Sequence, residues 1–106
     1  MWLFMREGFL SIVQDKDDPD MLLVRGRVRG DIEKYFPDAE VKETPDNDYL
    51  FRAFIPRMRV AGEIAVAVNA ISYTNYKASV PRNRQLWYGR IWGVMIDLQE
   101  RIRRKR

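Results

Sequence analysis

The chain has 106 residues, 46% hydrophobic and 32% charged, which predicts one soluble globular domain over residues 1–106. It has no cysteine and no histidine, which excludes disulfides, thiolate nucleophiles, zinc-finger chemistry and imidazole bases. The net charge of +4 is unevenly spread: residues 1–50 carry seven Lys/Arg against twelve Asp/Glu, and residues 51–106 carry twelve against three. Such asymmetry points to an anionic partner.

In chain order, Trp2-Leu3-Phe4-Met5 and Phe9-Leu10-Ser11-Ile12-Val13-Gln14 are rich in aromatic and β-branched residues and predict two strands, with a tight turn at Gly8. The run Asp15-Lys16-Asp17-Asp18-Pro19-Asp20 lacks the alternating acids, glycine and distant glutamate of a calcium loop. It reads as a plain Asp/Pro turn, and no metal or cofactor is expected. Met21 to Val28 is the next strand, with Leu22, Val24, Gly26 and Val28 on one face and Leu23, Arg25 and Arg27 on the other.

Asp31 offers an N-cap oxygen to a short helix that carries Ile32, Tyr35 and Phe36 and stops at Pro37. Ala39 to Thr44 and Tyr49 to Ile55 predict a hairpin around Pro45-Asp46-Asn47-Asp48. From Arg57 to Ile71 the period changes to helical, with Ala61, Ile64, Val68 and Ile71 on one face. That helix is apolar on most of its circumference, so it is expected to lie between two layers. Tyr73 to Val80 predicts a final strand closed by Pro81.

Arg82 to Arg104 is the longest periodic segment: Trp87, Ile91, Val94, Met95, Leu98 and Ile102 recur every three or four residues. Gly89 and Gly93 share a face with no side chain to pack, which suggests close approach of another backbone. From Met21 the order is β-α-β-β-α-β. The fold class expected is therefore α+β, a ferredoxin-like antiparallel sheet with an N-terminal β-hairpin and a long C-terminal helix. That helix would cover part of the sheet or pair with another subunit. No targeting segment or membrane span is visible, so a cytoplasmic location is expected, with no membrane partner.

The phrases MWLFMREGFLSIVQ, LLVRGRVRGDIE, YLFRAFIP and YTNYKASV resemble a family of small bacterial and phage proteins that start MWLF-x3-GF and carry a YTNFK-like segment. The resemblance implies a compact intracellular domain and brings no activity with it. Tyr76 stands where that segment often has Phe, which implies an aromatic body rather than a catalytic phenol.

Catalysis fits the residue inventory poorly. A phosphate-handling enzyme of the acylphosphatase kind needs a glycine-rich cradle leading into an arginine. The segment Arg25 to Gly30 places its glycines in or just beyond a strand. Neither G-x-G-x-x-G nor a Walker loop is present, and the acids cluster in turns.

Binding fits better. Arg25, Arg27 and Arg52, with Asn75 and Lys77 on an edge strand, would form a basic sheet face suited to phosphate, and Tyr73, Tyr76 or Trp2 could stack on a base. The expected function is recognition of an anionic ligand, a nucleotide or a short nucleic acid. The competing expectation pairs these arginines with the acids of the first half. A different class is a protein-interaction module or inhibitor of a host or phage protein. It would act as a homodimer through Trp87, Ile91, Trp92 and Met95 of the last helix.

Overall fold

A computed structural model describes residues 1–105. They form two compact units, Met1–Ser72 and a second that begins at Tyr73.

In the first unit the apolar N-terminal runs extend as β1 (Trp2–Met5), β2 (Gly8–Gln14) and β3 (Met21–Gly26). The first turn falls on Arg6-Glu7, and Gly8 is instead the opening residue of β2. Glycine is needed there for packing: a Cβ would lie 3.2 Å from the Tyr35 ring and 3.3 Å from the Asp31 carboxyl carbon. The aspartates before β3 are used locally. The Asp20 N–H donates to Asp18 Oδ1 at 2.9 Å, an Asx turn that returns the chain to the sheet.

Gly30 takes the left-handed conformation at φ 93°, open to a residue without Cβ, and α1 (Asp31–Tyr35) follows. Asp31 does not cap this helix as expected. It is the first helical residue and is buried, and its Oδ2 accepts the Phe9 N–H at 3.0 Å. The carboxylate thus ties α1 to the start of β2, because the helix crosses the sheet where Gly8 leaves room.

β4 (Lys42–Glu43) and β5 (Phe51–Pro56) form the second hairpin, and the sheet order is β1-β2-β3-β5-β4 with every neighbour antiparallel. Since β3 and β4 both run against β5, they are parallel to each other with β5 between them, a split β-α-β unit. One sheet face builds the core. Leu10, Ile12, Val24, Phe51, Ala53 and Ile55 meet Ile32 and Phe36 from α1 and its end, and Val60 from α2 (Arg57–Asn69). Both helices therefore lie on the same face. The expectation that α2 is sandwiched does not hold: Val60 is its one buried residue, while Met58, Val66 and Val68 are exposed. The sheet covers a single face of it.

The expected final strand over Tyr73–Val80 does not form. Asn75 Oδ1 accepts the Ala78 N–H at 3.1 Å, an N-cap that starts the helical turn α3 (Tyr76–Ser79). Capping chemistry overrides the β propensity of the tyrosines and threonine. The six-element β-α-β-β-α-β order is thus not completed within the described residues. The place beside β3 that its last strand takes is held by β2. α4 (Arg82–Arg104) starts and ends where the helical period predicts. In this second unit Val80 and Tyr88 are buried, and the Tyr88 ring stacks on Tyr76 with centroids 6.3 Å apart. The protein is α+β, with a five-stranded antiparallel sheet and a long C-terminal helix.

Candidate anion-binding face

Alternation along each strand sends the remaining side chains to the face turned away from the core. The register there aligns one residue from every strand: Trp2 opposite Ser11, Ser11 opposite Arg25, Arg25 opposite Arg52, and Arg52 opposite Lys42. At about 4.8 Å per strand this row spans about 19 Å. It has an exposed indole at one end, three cations at the other, and a serine between them.

Like charges directly opposite each other weaken a ladder, so the Arg25–Arg52 pair opposes sheet stability. The structure offsets this only in part. Arg25 Nη2 donates to Ser11 Oγ at 2.7 Å, and Arg52 Nη2 donates to Asp48 Oδ1 at 3.3 Å. The Nε atoms of both arginines are buried with no hydrogen-bond partner, which leaves two donors unmatched.

Tyr49, buried just ahead of β5, steers the arginines. Its ring centroid lies 4.6 Å from Arg25 Cζ and 4.0 Å from Arg27 Cζ. Arg27 also donates from Nη1 to the Asp48 carbonyl at 2.9 Å. Among the described residues, the partners of Arg25 and Arg27 are thus a hydroxyl, a carbonyl and a ring. Carboxylate pairing instead engages their neighbours: Arg29 with Glu43 at 3.1 Å, Lys34 with Glu7 at 3.3 Å, and Arg52 with Asp48.

At the end away from the cations, Phe4 and Phe9 stack with centroids 4.5 Å apart, and Trp2 meets both edge-on at 6.5 and 5.8 Å. This cluster fixes the indole at the end of the row while leaving it 64% exposed.

The structure brings together Arg25 and Arg52 and sets Arg27 beside them, past the end of β3. Tyr73, Asn75, Tyr76 and Lys77 lie on no strand of the sheet: their segment is α3 and its approach in the second unit. There Asn75 is the helix cap, Tyr76 stacks on Tyr88 and meets Tyr73 at a tilt, and Lys77 Nζ sits 3.7 Å above the Trp92 ring. Asn75 and Lys77 line a shallow pocket of about 340 Å³ with Ala78, Gln85, Tyr88 and Gly89.

Lys42, Ser11 and Tyr49 were missed as members of the face. Lys42 lies in a run already read as a strand, but only the register against β5 shows that it sits opposite Arg52. The residues read as an interface, Trp87, Ile91, Trp92 and Met95, are all exposed on α4. Among the described residues no cluster of three or more acids could hold a metal ion. Comparison of the chain with protein families, curated proteins and solved structures finds no match in any of them.

Proposed function

We propose that the protein is a non-enzymatic binding protein that takes a phosphate-bearing anion, a nucleotide or a short nucleic acid, on the outer face of its sheet. The cross-strand row Trp2–Ser11–Arg25–Arg52–Lys42 carries this reading. Guanidinium groups grip phosphate through paired N–H donors, and a bound anion would relieve the repulsion between Arg25 and Arg52. Trp2 stands two strands from Arg25, about 10 Å, and offers a π-face for a base. In this proposal the sheet is a variant of the ferredoxin-like platform, with β2 standing in for its last strand.

Fluorescence anisotropy with a labelled nucleotide and a labelled single-stranded oligonucleotide tests it. Affinity for the oligonucleotide should fall linearly in log salt, with a slope near −0.7 per phosphate engaged. Arg25→Gln and Arg52→Gln should each weaken binding about tenfold or more, the worth of a charged hydrogen bond. Each should leave the melting temperature unchanged or slightly raised, because each removes one member of a repelling pair. Wild-type protein that binds neither probe, with both variants melting several degrees lower, would mean that the arginines only hold the sheet together.

A further inference from the structure

α4 presents an apolar arc along its whole length. Trp87, Ile91, Val94, Met95, Leu98 and Ile102 are each at least 36% exposed. At about 100° per residue these six fall within roughly 100° of the helix circumference, with Trp92 at the margin. The helix is about 34 Å long, so the arc forms a strip rather than a spot.

Charge surrounds the strip. Arg82–Arg104 carries six arginines against Asp97 and Glu100, and Lys105 continues the series. Both tryptophans of α4 are crowned by cations, Arg90 Cζ at 4.8 Å from the Trp87 centroid and Lys77 Nζ at 3.7 Å from that of Trp92. Cations therefore sit at the edges of the apolar strip.

That placement discriminates among occupants. A second copy of α4 meets like charge in either direction, since Arg82 and Arg84 mark one end and Arg101, Arg103 and Arg104 the other. A closed protein groove would strip water from Arg90 and Lys77 together with the indoles they cover, which is costly without matched carboxylates. An anionic headgroup layer has neither fault. It accepts apolar side chains at the acyl boundary, indoles at the interface, and cations at the phosphates.

We propose that α4 is a surface-seeking helix that lies flat on a membrane rich in anionic lipid, with Trp87, Ile91, Val94, Met95, Leu98 and Ile102 facing the lipid. No helix among the described residues is long and apolar enough to cross a membrane, and lying on one needs no such helix.

The test uses the full chain with Trp2→Phe, so that emission reports Trp87 and Trp92 alone. It is mixed with vesicles of phosphatidylcholine, or of phosphatidylcholine with about one third phosphatidylglycerol. A blue shift and co-sedimentation with the anionic vesicles only are expected. Leu98→Asp should abolish both, and Arg101→Gln with Arg104→Gln should weaken binding about tenfold or more while leaving the apolar strip intact. Lys16→Gln, an exposed cation in the turn before β3, should leave vesicle binding unchanged, which separates a site on α4 from a response to overall charge. The proposal fails if anionic vesicles give no shift, or if Leu98→Asp binds them as well as the parent. It also fails if light scattering finds a dimer that Leu98→Asp splits, for the strip is then a self-interface.

Discussion

The two units use their apolar residues in opposite ways. Met1–Ser72 places nine apolar side chains in one core beneath its sheet. The unit from Tyr73 onward buries Val80 and Tyr88 and leaves the strip of α4 exposed. A sheet with helices on one face can close a core by itself, whereas one long helix with one short turn has too little surface to cover its own apolar arc. The first unit therefore closes a core of its own, and the second leaves its apolar arc at the surface.

The sharpest break of that contrast compares two leucines. Leu10→Ala, at a site with no solvent exposure, should cost about 2–5 kcal/mol by urea denaturation. Leu98→Ala on the exposed strip should move stability by no more than about 0.5 kcal/mol. Equal losses would mean that the strip of α4 is buried in the free protein.

Glycines give the next contrast. Gly8→Val forces a side chain toward Tyr35 and Asp31 and should cost about 1–3 kcal/mol. Gly89→Ala meets no described atom within 4 Å of the new Cβ and should gain up to about 1 kcal/mol from helix propensity. A loss at Gly89 would reveal the close backbone neighbour that its spacing with Gly93 suggests.

The smallest effect concerns acid. The hydrogen bond from Arg59, followed by a backbone bond and the Arg59 charge, lowers the Asp38 carboxyl below its ordinary value. A carboxyl depressed in the folded state stabilises above the ordinary carboxylate range, near about pH 4, and loses that contribution as pH falls through the depressed value. Asp38→Asn should therefore narrow the gap between urea midpoints at neutral and acid pH. The change will be slight, since the pair is exposed. An unchanged gap would show that the pair contributes nothing to the acid response.

The sequence alone determined the elements whose pattern is local. Aromatic and β-branched composition located β1 and β2, period-two alternation located β3 and β5, and the recurrence from Trp87 to Ile102 set α4 from Arg82 to Arg104. It also put Arg25 away from Leu22, Val24 and Gly26, because parity within one strand is a property of backbone geometry. Three outcomes, two of them tertiary and one a local cap, needed the structure. Arg27 falls outside the sheet because β3 ends at Gly26, and strand ends depend on which partner strand runs out first. Asp31 exchanges its capping role for the Phe9 amide because α1 crosses β2 there, a contact between residues 22 positions apart. Tyr76–Ser79, inside the expected strand, turns helical where Asn75 caps it, a bond between side chain and backbone that competes with propensity and is visible only once made. The row itself, from Trp2 to Lys42, exists only in the register. Each strand contributes one residue to it, and no single segment contains the information that places five of them opposite one another.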